Sequence, residues 1–212
     1  MNLEKFRHIV VEGPIGVGKT TFAKRLAAQM DAELLLEQPG ENPFLAKFYQ
    51  DGPRYALATQ LCFLFQRVQQ LHDLAQFDFF QRMFVADFLL DKDPLFARLT
   101  LSDDEYALYR TIFSSVKPQA PTPDLVILLQ AQPETLVERV RRRGIPMESY
   151  ISEDYLRRLN QAYSNYFHTY DEAPVLIVST ERLNPVEREA DFALLVEQIA
   201  NMRSRREFFN IA

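Results

Sequence analysis

The chain is poor in cysteine, histidine and glycine, and each shortage removes a class of function. Cys62 is the single cysteine among 212 residues, so there is no intramolecular disulfide and no thiolate metal cluster. His8, His72 and His168 are scattered without metal-ligand spacing, and surface or core roles are expected of them. With six glycines, the chain has no glycine/serine linker, and it shows no internal repeat or low-complexity tract. One domain over residues 1–202 is expected, with RSRREFFNIA, residues 203–212, as a mobile or packing tail. No stretch approaches the roughly 18 consecutive apolar residues of a membrane helix. The opening MNLEKFRHIVVEG lacks the apolar region and cleavage site of a secretory signal, so a cytoplasmic chain without membrane association is expected. A net charge of −5 argues against broad binding to nucleic acid or anionic membranes.

What is present is a pattern of short apolar runs, FRHIVVEG, AELLLE, MFVAD, DLVILLQ and APVLIVS, separated by segments of helical periodicity. Strands apolar on both faces and alternating with helices predict an α/β fold, a parallel sheet of about five strands covered on both sides. Cys62 falls in an apolar helical stretch and reads as a packed core thiol. Asp103-Asp104-Glu105 after Ser102 reads as a helix start with a capping arrangement.

Half of the scarce glycines, Gly13, Gly16 and Gly18, stand within six positions. Gly13-Pro14-Ile15-Gly16-Val17-Gly18-Lys19-Thr20 satisfies the phosphate-loop pattern G-x-x-x-x-G-K-[ST] between a strand and a helix pattern. Such a loop curls its amides around anionic oxygens, and the following helix, beginning near Thr20 and Thr21, adds its positive end. Lys19 would reach the β- and γ-phosphates of a nucleoside triphosphate, and the Thr20 hydroxyl would hold Mg²⁺. Nucleoside triphosphate binding follows; the acceptor does not.

The acceptor is suggested by Glu37, at the carboxyl end of the second strand pattern, where open parallel sheets hold their ligands. Glu37-Gln38-Pro39, Glu41-Asn42-Pro43-Phe44-Leu45 and Phe48-Tyr49 resemble the E-x-(P/V)-x-x-N-P-[YF]-L-x-x-F-Y segment of bacterial deoxynucleoside kinases. That resemblance implies ATP-dependent phosphorylation of a deoxynucleoside 5′-hydroxyl, with Glu37 as general base. It also implies Tyr49 at the sugar 3′-hydroxyl, and Gln60 and Arg67 at the base, with Gln66 as the nearby alternative to Gln60. Tyr55, Phe63, Phe65, Phe79 and Phe80 are candidate stacking surfaces, most of them ordinary core.

A second segment, PETLVERVRRRGIPMESY, has Pro133 at a helix start and Gly144 and Pro146 at its stop. Arg139, Arg142 and Arg143 share a face, and Arg141 points elsewhere. Phosphoryl transfer needs such charge stabilisation. The stretch Glu138-Arg139 through Glu148-Ser149 resembles the lid of the same kinases (about 139–150 here). The resemblance puts Arg139 and Arg143 on phosphates and Glu148 beside Tyr49. It extends from Phe6 to about Ile199 and implies a homodimer paired through central helices. The E-N-P-[YF]-L form favours a purine acceptor, deoxyadenosine or deoxyguanosine.

The pattern breaks at the third strand. Where these kinases carry [DE]-R-[ST], this chain has Asp87-Phe88-Leu89. Asp87 fits the metal-organising acid, Phe88 displaces the arginine, and Arg82, Lys92 or a lid arginine is left to supply the charge. Asp93 matches the base-reading carboxylate. Two other readings stay open: a thymidylate-type nucleoside monophosphate kinase, against which Glu37 argues, and a nucleotide-binding regulatory module with weakened catalysis, suggested by Phe88.

Overall fold

The computed structural model describes residues 3, 5–76, 83–117 and 121–211. Phe79, Phe80 and Arg82 lie outside them. The five apolar runs form strands β1 (His8–Glu12), β2 (Glu33–Leu35), β3 (Phe84–Ala86), β4 (Leu125–Gln130) and β5 (Val175–Ser179). A sixth, β6 (Arg206–Phe209), pairs parallel with β5 in the register Val175↔Arg206 to Val178↔Phe209. The expected five-stranded sheet is thus six-stranded among the described residues, ordered β2-β3-β1-β4-β5-β6 and parallel throughout. The correction comes from the tail. Arg206 donates from Nη1 to the Phe167 carbonyl at 2.9 Å, and Phe209 packs against the core, which places REFF on the sheet edge.

The helices are α1 (Lys19–Met30), α2 (Leu45–Gln50), α3 (Gly52–Gln76), α4 (Asp93–Thr100), α5 (Asp103–Val116), α6 (Pro133–Arg143), α7 (Glu153–Thr169) and α8 (Glu189–Asn201). Period-two alternation in β1 and β4 divides the core. Ile9, Val11, Ile127 and Leu129 pack with Phe22 and Leu26 of α1 and Phe192 and Leu195 of α8. Val10, Val126 and Leu128 pack with Leu159, Tyr163 and Phe167 of α7. A third cluster, Leu64, Val68, Leu71, Phe88, Ala97, Tyr109 and Phe113, joins α3 to α4 and α5. Ser102 and Glu105 form the expected capping box on α5. Cys62 is half-buried and outside these clusters; α3 turns it partly outward, so it is not a core thiol.

The chain runs from β1 to β2 on one side and returns through β3 before crossing to β4 on the other, so β1 lies at the topological switch. The phosphate-loop pattern leaves the carboxyl end of that strand.

Candidate active site

Two cavities open beside this loop. Gly13 takes φ 148°, and a Cβ there would stand 2.4 Å from the Leu129 carbonyl oxygen; at Gly16, φ 87°, it would stand 2.9 Å from Val140. Glycine is therefore needed for the loop to press against β4 and α6 at once. The first cavity, about 940 Å³, is lined by Ile15, Gly16, Lys19 and Thr20 on one side and by Glu37, Tyr49, Gln60, Arg67, Asp87, Lys92, Arg143 and Glu148 around the rest. The second, about 920 Å³, takes Gly16 through Thr21 with Arg139, Arg142, Arg143 and Thr180. Lys19 and Thr20 face both. Gly13 and Pro14 line neither.

In the first cavity Glu37 is turned inward, with 18% of its side chain exposed. The ends of β2 and β3 clasp each other: Asp87 donates its amide to the Leu35 carbonyl, and Glu37 donates its amide to Asp87 Oδ1 at 2.7 Å. The Thr20 hydroxyl bonds the other Asp87 oxygen. A hydroxyl and a carboxylate side by side are hard oxygen donors that fit Mg²⁺. Arg67, 3% exposed, donates from Nε to Glu37 at 3.0 Å and from Nη1 to Asp93. Asp93 is fully buried and also accepts from Gln60 Nε2 at 2.8 Å and from the Tyr109 hydroxyl. Burial alone would raise the Glu37 pKa; Arg67 foremost, then Lys92 and Lys19, overcome it and hold the carboxyl at about 2. For Lys19 burial dominates, and with Lys92 beside it the pKa falls below the usual lysine value.

Asn42 anchors the segment before α2 by donating to the Thr59 carbonyl at 3.0 Å and accepting the Phe44 amide at 3.0 Å. That hold carries Tyr49 to the cavity wall. Burial, then Tyr155 and Glu148, push the Tyr49 phenol well above its ordinary pKa. Glu148, 8% exposed, accepts from Arg143 Nε at 2.9 Å. Tyr49, Glu148 and Arg143 thus stand on the cavity wall, as do Gln60 and Arg67, while Asp93, expected at the base, is buried behind those two and does not line the cavity. Gln66 is not among the lining residues; Gln60 is. Of the aromatic candidates Phe63 lines the wall, whereas Phe65 is 50% exposed.

The arginine segment follows from local chemistry. Glu181 accepts the Gln132 amide at 2.6 Å and the Thr135 hydroxyl at 3.0 Å, an acid at the positive end of α6. Gly144, φ 67°, ends that helix in the left-handed region, and a 3₁₀ turn over Pro146–Tyr150 follows. Arg139 donates to the Thr180 hydroxyl at 2.8 Å and carbonyl at 2.6 Å, and Arg142 pairs with Glu187. Arg141 points away to Glu153.

Sequence reasoning missed several residues. Glu12, fully buried at the end of β1, accepts from the amides of Gly13 (3.1 Å) and Leu89 (2.7 Å), from Lys92 Nζ (3.0 Å) and from the Tyr163 hydroxyl (3.0 Å). A carboxylate closing an apolar strand directly before Gly13 was the available signal. Thr59, 5% exposed on the wall beside Gln60, has a hydroxyl without a hydrogen-bond partner among the described residues. Leu183, Asn184, Pro185 and Val186 complete the second cavity and carried no motif.

The profile of the family described as deoxynucleoside kinase matches residues 9–203. The chain is 31% identical to the deoxyguanosine kinase of Bacillus subtilis (strain 168), covering 95% of this chain and 99% of that protein. It is 31% identical to the deoxyadenosine/deoxycytidine kinase of the same organism, covering 92% of each. A solved structure of deoxyadenosine kinase from M. mycoides superposes with a TM-score of 0.80 at 23% identity, covering 92% of this chain and 100% of that one, a likeness of fold. Profile, relatives and cavity geometry agree, and the chain belongs to the deoxynucleoside kinase family.

Proposed function

We propose that this enzyme transfers the γ-phosphoryl group of ATP to the 5′-hydroxyl of a deoxynucleoside, with a purine acceptor favoured. The observation that carries the reading is that Glu37 shares one cavity with Lys19 and Thr20 of the phosphate loop. The loop amides and Lys19 hold the β- and γ-phosphates, and Arg139 and Arg143 neutralise charge from the lid. Thr20 and Asp87 would hold Mg²⁺, which would supply charge neutralisation for the phosphates. Gln60 and Arg67 read the base, held from behind by Asp93, and Tyr49 with Glu148 holds the sugar 3′-hydroxyl. The name of one Bacillus relative, deoxyguanosine kinase, supports that preference, while the other pairs deoxyadenosine with the pyrimidine deoxycytidine.

A carboxyl held at about 2 is ionised throughout the working range but is a weak base. The loose transition state of phosphoryl transfer suits this, because the attacking hydroxyl gives up its proton late and orientation matters more than basicity. Glu37 therefore aligns the 5′-hydroxyl and accepts its proton as the new bond forms. The protein works in the cytoplasm as a homodimer; exposed Phe65 on α3 and Leu108 on α5 support pairing through those helices.

The test is ADP release with ATP, magnesium and each common deoxynucleoside, beside thymidine monophosphate as a phosphorylated acceptor. Turnover of a purine deoxynucleoside is expected, and Glu37→Gln should lower kcat by about 10²-fold or more. An unimpaired variant removes Glu37 from the mechanism. Turnover of the monophosphate alone makes the enzyme a nucleotide kinase, and tight ATP binding without turnover makes it a regulatory module.

A further inference from the structure

The reacting centre lacks the strand-end arginine because Phe88 holds that position, and the structure shows where Phe88 goes. It is 3% exposed and packs with Leu64, Leu90, Ala97 and Tyr109, away from the first cavity. Immediately after it the chain curls into a 3₁₀ turn over Leu90–Lys92, in which the Lys92 amide donates to the Leu89 carbonyl at 3.2 Å. The turn returns a different side chain, Lys92, to the cavity wall.

Lys92 is 1% exposed and lines the same cavity as Lys19, Glu37 and Asp87. Its ammonium is held at 3.0 Å by Glu12, with the rings of Phe96 and Tyr163 at 5.5 and 6.0 Å. Glu12 fixes the turn twice, at the Leu89 amide and at the Lys92 ammonium, and fixes the phosphate loop through the Gly13 amide. The two oxygens of Glu12 are thus shared among four donors. An ammonium has three donors, so Lys92 keeps capacity beyond Glu12, and its charge acts on both Lys19 and Glu37. Among the described residues the lid arginines each have a partner of their own, Arg139 with Thr180, Arg141 with Glu153, Arg142 with Glu187 and Arg143 with Glu148, and Arg82 lies outside those residues.

We propose that Lys92, held by Glu12, is a catalytic residue of this enzyme, contacting the phosphoryl group in transfer and replacing the charge that Phe88 displaces. This rests on the phosphotransferase reading above. In the transfer, the 5′-oxygen forms a bond to the γ-phosphorus as the bond to the β-γ bridging oxygen breaks. The proton of the hydroxyl passes to Glu37, and ADP leaves with the bridging electron pair. Lys92 gives up no proton; it offsets charge on the equatorial oxygens as they pass between the two partners.

Lys92→Met alone strands a buried Glu12 and is expected to unfold part of the site. The decisive variant is therefore the double Glu12→Gln/Lys92→Met, which removes the ion pair as a unit, compared with Lys92→Arg, Glu12→Gln and the wild type. Each is first shown to be folded by thermal melting and then assayed with ATP and the best deoxynucleoside. The double variant should lose about 10²- to 10³-fold in kcat, with the KM of the nucleoside changed about threefold or less. Lys92→Arg should recover a large part of that loss, and Glu12→Gln, keeping the lysine, should lie much closer to the wild type. A folded double variant with wild-type kcat, or a loss confined to KM, overturns the role of Lys92 alone. A wild type inactive on every deoxynucleoside overturns the phosphotransferase reading and this role with it.

Discussion

Asp93 and Glu37 are two carboxylates held by one guanidinium, and the same economy of partners recurs at Glu12. Buried charges of this kind are stable only while their oxygens have donors: both oxygens of Asp93 and of Glu12 do, and Glu37 Oε1 takes two nitrogens of Arg67. His8 is the contrasting residue. It is buried against Phe84, ring centroids 4.1 Å apart, and burial, only partly opposed by Asp124 and the Pro121 carbonyl, lowers its pKa from 6.5 to about 4. Between those values the unfolded chain binds a proton that the folded one refuses. The contribution to stability is therefore complete above about pH 6.5 and declines as pH falls toward 4. Urea denaturation midpoints across that window should fall in the wild type, and His8→Phe, keeping the ring stack, should flatten the His8 part of that fall. Parallel curves for the two proteins would mean that His8 is charged in the folded state.

Among the elements, β6 was the least visible beforehand and carries a clear expectation. It covers the open edge of β5 with four residues, and Phe209 and Ile211 pack on the core. Removing residues 203–212 should cost about 2 kcal/mol from the lost phenylalanine burial alone and should expose a strand edge prone to association. The readout is a lower urea midpoint with kcat unchanged below the transition, since every cavity-lining residue lies earlier in the chain. An unchanged midpoint would mean that the strand is dispensable. Strands β1, β3, β4 and β5 were legible because each is an apolar run buried on both faces or nearly so, whereas β2, exposed at Glu33 and Leu34, showed only through its short run of leucines. REFF was not, because four residues after a basic cluster show no period and its partner lies about thirty residues earlier. The phosphate loop was legible because its motif is local, and Glu37, Tyr49, Gln60 and Arg67, which line one cavity with it, were reached through the family resemblance. The ties of Glu12 to Lys92 and Tyr163 span 80 and 151 positions, which no local pattern encodes. Cys62 misled because an apolar stretch does not say which side of a 25-residue helix faces the core.

For the whole molecule, the sheet order concentrates the chemistry. Strands β2, β3 and β1 end together, so residues fifty positions apart, Glu37 and Asp87, meet at 2.7 Å. The long α3 and α5 stand beside that end and leave Phe65 and Leu108 exposed at 50% and 51%. Sedimentation velocity should give a dimer for the wild type, and Phe65→Glu with Leu108→Glu should shift it to monomer with the fold intact. A wild type that sediments as a monomer at every concentration removes pairing from the account.

Arg67 ties two carboxylates together, with one nitrogen on Asp93 and others on Glu37. On the proposed assignment, the far end of the substrate and its reactive end share a single rigid lever. A poorly matched base that displaces Arg67 also drags Glu37 out of line, so discrimination should be written into turnover more than into binding. A wrong nucleoside would then be held and left unreacted.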